Sequence, residues 1–310
     1  MDTSVTGIPE DVAAVRSRLW RRRLKLLVPY LLILPAYTLL AFLLLYPMVS
    51  NFYLSVWEWR LTNPSARTFA GLQNYLDLFQ TQGFTRSLFF TLLFTGATVA
   101  LSFVLGFLSA LLLFSFASVQ RVVTPLLILP YMVAPIAVGL IWRLMWNMEY
   151  GPVNYFGSLL GLSAVNWLGS VNTAVVAVIV SEVWRTTPFV MLILLAGLSA
   201  IPTEVYEAAK VDGARGLQVL RHVTLPLLAP SITVALIFET IFKLRVFDLI
   251  YTLTGGGPAS STTPLGLLIY NTYFRYLNGG QSAALSVVLF GLGLVICIVY
   301  IKTLYRTWEA

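Results

Sequence analysis

The chain has 310 residues and a formal net charge of +7; 58% of its residues are hydrophobic and only 11% are charged, and its mean hydropathy is +0.82. About a quarter of the residues in a soluble globular domain are charged, so that class is excluded, and an integral membrane protein remains. The surplus of cations would fit nucleic acid only if it formed a surface patch, and its placement along the chain argues against that.

In chain order, residues 1–25 read as a charged cytoplasmic lead, followed by a transmembrane domain over 26–310. Six apolar segments, 26–49, 88–116, 122–146, 173–198, 226–253 and 283–305, each reach the about 20 residues that cross a bilayer as a helix. Helices satisfy their own backbone polar groups in lipid, so the predicted fold class is an all-α integral membrane protein with six transmembrane helices. The apolar stretch after the basic lead is too long for a signal core and has no small-residue cleavage site, which predicts a retained signal anchor.

The cations mark orientation. Arg16, Arg18, Arg21, Arg22, Arg23 and Lys25 precede the first span; Arg121, then Lys210, Arg215 and Arg221, then Lys302 and Arg306 fall at every second boundary after it. The opposite side carries only Arg60, Arg67, Arg86 and Arg275, and residues 144–172 hold no Lys or Arg. Twelve cations against four is the positive-inside pattern for six spans with both termini cytoplasmic. The partner it implies is membrane lipid, not nucleic acid.

The loops differ in character. The first outer loop, about 50–87, mixes Trp57, Trp59, Phe69, Tyr75, Phe79 and Phe84 with Asn and Gln; it reads as an interfacial helix at headgroup level or, alternatively, as a partner-binding surface. The third, 254–282, opens on Thr254-Gly255-Gly256-Gly257-Pro258, a sharp exit turn. No Gly-x-x-x-x-Gly-Lys-Ser/Thr occurs, so this turn is not a phosphate cradle. Cys297 is the single cysteine, which excludes an intrachain disulfide and predicts no metal site. Thr98, Ser102 and Ser109 in the second span read as packing residues or, alternatively, as lining of an internal path, and His222 as a polar loop residue.

The most informative stretch is the cytoplasmic island 202–223. Pro202 suits the start of a helix, Glu204 and Glu207 sit near its positive end, and Asp212-Gly213 breaks it. Ala214 to Val223 predict a second short helix before Pro226 opens the fifth span. Ala208, Ala209, Gly213, Ala214 and Gly216 are small enough for a partner backbone to approach, with Tyr206, Glu207, Lys210 and Arg215 around them as anchors. The alternative is an ordinary amphipathic interfacial loop.

Glu207-Ala208-Ala209-x-x-Asp212-Gly213-Ala214, with Leu225-Pro226-x-x-x-Pro230 behind it, resembles the EAA loop of ABC importer permeases. Phe247-Asp248-Leu249-Ile250-Tyr251-Thr252-Leu253-Thr254-Gly255-Gly256-Gly257-Pro258 resembles a signature of that family's carbohydrate-uptake branch, as does Glu182-x-Trp184-Arg185-Thr186-Thr187-Pro188-Phe189. The likeness runs from the first span onward and is nearest to the larger permease of maltose-type importers. The chain departs from that permease in having only six spans and no large periplasmic insert.

The resemblance implies an ABC type I importer permease fold and a subunit that moves a sugar, oligosaccharide or related polyol by alternating access. It implies no catalytic residues and no cofactor on this chain, with ATP and Mg on two cytoplasmic ATP-binding subunits. A second homologous permease and an extracytoplasmic solute-binding protein complete the implied set, in a bacterial or archaeal cell membrane. Tyr206, Glu207, Ala208, Ala209, Asp212, Gly213 and Ala214 then form the ATPase-coupling surface.

Charges inside a membrane segment are costly and are functional candidates by default. Glu182, Arg185, Thr186 and Phe189 share one helix face at i, i+3, i+4 and i+7; Glu239, Phe242, Lys243 and Val246 repeat that spacing in the fifth span, with Arg245 and Asp248 nearby. By the resemblance, these eight positions fall where maltose-type members contact their sugar, although those members carry amides where this chain carries charges. The competing reading is that Glu182–Arg185 and Glu239–Lys243 are structural ion pairs. Pro188 is expected to kink the fourth span. An ion-gradient transporter using Glu182, Glu239 and Lys243 as relays is the alternative function, but it lacks visible inverted repeats.

Overall fold

A computed structural model describes residues 28–80 and 82–304. The lead 1–25, with its six basic residues, and the chain end with Arg306 lie outside the described residues. The chain forms two compact units, divided after Tyr53, and each is taken by itself. The first holds all but the last two residues of α1 (Val28–Ser55), a strongly apolar helix whose side chains are exposed on every side over residues 28–49 and which includes a π-helical turn at Ala41–Leu45.

The second unit opens with a small antiparallel hairpin, β1 (Trp57–Trp59) and β2 (Arg67–Phe69), pairing Trp57 with Phe69 and Trp59 with Arg67. Helix α2 (Gln73–Gln80) follows. Trp57, Trp59 and Phe69 therefore stand on a hairpin, which corrects the expected interfacial helix; Tyr75 and Phe79 lie on α2, and Phe84 is buried. The hairpin is tied to the far end of the chain by an Arg60–Asn278 bridge and by Leu61 N–H to Leu277 C=O at 2.8 Å.

The remaining helices are α3 (Gln82–Ser115), α4 (Ala117–Met132), α5 (Pro135–Met145), α6 (Pro152–Leu159), α7 (Val171–Ser199), α8 (Thr203–Val211), α9 (Leu217–Leu244), α10 (Asp248–Leu253), α11 (Leu265–Tyr270) and α12 (Gly279–Leu304). Among the described residues, five helices are long and apolar enough to cross a membrane, and six if the bent α4–α5 pair counts as one span.

Two spans expected to be continuous are broken. Over 122–146, α4 and α5 meet at 94°. Pro135 starts α5 and holds Ala134 extended (φ −57°, ψ 136°), because a residue preceding proline is pushed out of the helical region. Over 226–253, α9 ends at Leu244, Arg245 to Phe247 leave the helix, and α10 restarts at Asp248. Non-helical backbone at membrane depth is tolerated only where protein or a cavity covers it, and both breaks border one cavity, described below.

Helix α7 is the hub, packing on α3, α4 and α9. Close approach depends on small residues, as is usual between membrane helices. A Cβ on Gly106 of α3 would press into Val190 and Met191, and one on Gly139 of α5 would overlap Thr252 and the Leu249 carbonyl. The interior is layered. One apolar layer joins Phe90, Phe94, Val138, Val178, Leu249 and Leu253; a second joins Ala110, Leu113, Met191, Leu194, Leu228 and Ala235. Along α3, α7 and α9 the stretch between these layers is polar: Ser102, Glu182, Thr186, Glu239 and Lys243, all buried.

Candidate functional site

This polar layer is a bonded network. Arg185 grips Glu182 through two hydrogen bonds, Nε to Oε2 at 3.0 Å and Nη2 to Oε1 at 2.7 Å, the planar fork-to-carboxylate geometry that makes such pairs strong. From α9, the Lys243 ammonium donates to Glu182 Oε1 and to Thr186 Oγ1, both at 2.7 Å, and stands 3.1 Å from Glu239 Oε2. The Thr186 hydroxyl donates to the Glu182 carbonyl at 3.0 Å and lies 3.2 Å from Ser102 Oγ on α3. Two carboxylates thus face two cations, a neutral set whose members offset one another's loss of solvation. Glu239 is the least satisfied member: neither of its oxygens receives an aligned hydrogen bond, and its partnership with Lys243 is one of charge alone.

Beside this network lies a cavity of about 240 Å³. It is lined by Glu182, Arg185, Thr186, Phe242 and Val246, five of the eight residues singled out from sequence, together with Tyr131, Pro135, Arg245, Phe247, Asp248 and Leu249. The other three are not in the lining. Lys243 and Glu239 are sealed behind it, at 0% and 1% exposure. Phe189 joins an aromatic group at its edge, stacked on Tyr131 at 5.2 Å and edge-on to Phe242 at 5.8 Å. The ion pairs left open as an alternative are therefore present, each within its own helix, and the Lys243–Glu182 pair joins α9 to α7.

Arg185 belongs to both settings: it is bonded to the buried carboxylate, yet 14% of its side chain remains exposed and it lines the cavity. Arg245 and Asp248, supplied by the break after α9, are exposed there and form no side-chain ion pair among the described residues. Sequence reasoning passed over Tyr131, and the signal for it was Pro130 and Pro135 within one apolar segment, since interrupted spans mark binding sites in transporters. Ser102 was read as packing; it bridges α3 to Thr186.

The island 202–223 is built as a capped helix and turn. Helix α8 closes with Gly213 at φ +80°, Ala214 N–H bonded to Ala209 C=O at 2.9 Å and Gly213 N–H to Lys210 C=O at 3.1 Å. This is the Schellman arrangement, which favours glycine at that position. Glu207, Ala208, Lys210, Asp212, Gly213 and Arg215 are exposed, Ala214 is half-buried and Ala209 is buried. Tyr206 turns inward, its ring 6.1 Å from Phe114 and its hydroxyl buried without a partner among the described residues.

The second short helix expected over 214–223 is corrected: 214–216 form a turn, with Gly216 at φ +49°, and α9 runs unbroken from Leu217 through Pro226 and Pro230. A π-helical turn at Leu220–Thr224 widens the helix just ahead of Pro226, easing the ring and its missing N–H. His222 stands 3.1 Å from the Gln218 carbonyl.

Residues 102–307 match the family described as binding-protein-dependent transport system inner membrane component. The trehalose/maltose transport system permease protein MalF of Thermococcus litoralis is 41% identical over 88% of this chain and 92% of its own length. The sulfoquinovosyl glycerol transport system permease protein SmoG of Agrobacterium fabrum is 38% identical over 91% and 93%. Among solved structures, a bacterial ABC transporter involved in import of the acidic polysaccharide alginate superposes with a TM-score of 0.80, at 24% identity, over 93% of this chain and 99% of that one; this likeness speaks to the fold. The chain belongs to the binding-protein-dependent transport system inner membrane component family: it is a multi-pass permease component of an ATP-driven ABC importer, not an ion-gradient transporter, and its ATPase activity lies in separate partner subunits.

Proposed function

We propose that this permease carries a sugar, oligosaccharide or related polyol into the cytoplasm by alternating access. The carrying observation is the cavity where the two broken spans meet the charged layer, with Arg185, Arg245 and Asp248 able to bond hydroxyls and Phe242 offering a ring. The permeases of trehalose/maltose and trehalose systems among its relatives support the sugar class. Glu182, Arg185, Thr186, Phe242 and Val246 contact the cargo, Phe189 flanks it, and Glu239 and Lys243 hold Glu182 and Arg185 in place. The cavity is smaller than the about 300 Å³ of an ordinary ligand site, so a second, homologous permease supplies the facing wall.

Two cytoplasmic subunits bind ATP and Mg, an extracytoplasmic protein delivers the solute, and both termini of this chain are cytoplasmic. Tyr206, Glu207, Ala208, Ala209, Asp212, Gly213 and Ala214 form the coupling region of the 202–223 loop within a permease domain of 26–310. The loop joins α7 directly to α9, the two helices that carry the charged layer, so force applied to it reaches the cavity walls. Nucleotide state moves the equilibrium only if the ATPase binds the two forms of the permease differently.

The test is reconstitution of the full assembly in proteoliposomes with radiolabelled maltose and trehalose. Accumulation that requires ATP and the solute-binding protein, and that survives an uncoupler, is the expected result. ATP-dependent accumulation of an amino acid but of neither sugar would overturn the substrate class.

A further inference from the structure

Between the cavity and the hairpin runs a row of aromatic side chains to which the transport reading gives no role. We infer that it is a carbohydrate track, a succession of ring faces along which a sugar released outside reaches Arg185; this rests on the sugar reading just given. The row starts at Phe247, which lines the cavity, with its ring centroid 5.2 Å from Tyr251 and 5.0 Å from Tyr270. Tyr270 leads to Phe274 at 4.9 Å, Phe274 to Tyr273 at 4.9 Å, and Tyr273 to Trp59 on β1 at 6.4 Å. Local structure sets the spacing: α11 passes into a π-helical turn at Asn271–Arg275, which brings Tyr270, Tyr273 and Phe274 onto one continuous path.

These rings are not core filler. Phe274 is 61% exposed and Tyr251 39%, while Phe247 and Tyr270 are half-buried at the edge of an apolar layer, so the row is anchored from behind and open in front. Among the described residues, the hydroxyls of Tyr251, Tyr270 and Tyr273 bond no protein partner. The face of an aromatic ring is electronegative and receives the weakly positive C–H face of a pyranose, while each free phenol is left to meet a sugar hydroxyl. The row links the hairpin to the non-helical break between α9 and α10.

The test uses the full assembly in proteoliposomes with a panel of radiolabelled α-linked di- and trisaccharides. Phe274→Leu and Tyr251→Leu keep apolar bulk at exposed positions and should each raise the uptake KM by about 2- to 10-fold, the worth of one ring contact. Thermal midpoint and basal ATPase rate should not move. Tyr276→Leu, which removes a ring that is 70% exposed and outside the row, should leave uptake unchanged. Equal losses at Tyr276 and Phe274 would identify a lipid belt and overturn the track, and so would wild-type KM in both row variants. If the wild-type assembly accumulates no sugar at all, the functional reading fails, and the track falls with it.

Discussion

The charged layer between α7 and α9 and the island that joins their ends draw on the same residue types but treat them in opposite ways. In the layer, Glu182, Arg185, Glu239 and Lys243 are spent on one another, with every cation within 3.1 Å of a carboxylate. In the island, Glu204, Glu207, Lys210, Asp212 and Arg215 are exposed and form no ion pair among the described residues. Depth explains the difference. An uncompensated charge inside the membrane is costly, so the layer must be neutral within the chain, whereas at the surface water solvates each charge and leaves it available to another protein. The layer fixes α7 to α9, and the island is free to be gripped.

The strongest way to break this comparison is to unbalance the layer. Lys243→Met strands Glu239 and removes one of Glu182's two cations, and breaking a buried pair from one side costs about 3–5 kcal/mol. A large fall in thermal midpoint of the detergent-solubilised assembly and loss of uptake are expected. Adding Glu239→Gln restores neutrality and should recover much of the midpoint, so the double variant should be more stable than the Lys243→Met single variant. If Lys243→Met melts like wild type, the layer is wet and the contrast with the island disappears. If the recovered double variant also transports with wild-type constants, Glu239 and Lys243 serve stability alone.

Next in size is an effect on coupling with little effect on folding. Gly213→Asp forces a side chain onto a left-handed position, at about 1–2 kcal/mol, and places a carboxylate on the exposed turn; Glu207→Lys reverses a charge with no such strain. Both should insert normally and keep the midpoint within a few degrees, yet lower ATP-driven uptake about tenfold or more. Retained uptake in both would remove the island's role as the docked lever.

These variants also show how much was legible in the sequence. The number of spans, the loop order, and the helix and glycine stop of the island follow from composition and from Asp212-Gly213, because length, apolarity and capping are local properties. The breaks at Ala134 and at Arg245 were not seen, since an apolar run looks the same whether it is one helix or two. Only the Pro130–Pro135 pair and the adjacent Arg245 and Asp248 marked them. The split of the eight site candidates into cavity lining and concealed brace was likewise not legible, because helical spacing puts Glu239, Phe242, Lys243 and Val246 on one face and the break at Arg245 decides which of them stay covered.

The smallest expected effect bears on Tyr206, an island residue that turns its ring toward the interior. Tyr206 belongs to the coupling segment by motif, but its hydroxyl is buried and unbonded and its ring rests near Phe114. A buried hydroxyl without a partner contributes only its desolvation cost, about 1–3 kcal/mol, so Tyr206→Phe should leave the midpoint equal to wild type or raise it slightly. Uptake should hold, because the ring that fastens α8 to the end of α3 is retained. Tyr206→Ala removes that ring and should lower uptake while Glu207 and Gly213 are intact. If Tyr206→Phe alone lowered uptake, the hydroxyl would have to rotate out to a partner during the cycle, and the line between concealed and offered side chains would then run through Tyr206 itself.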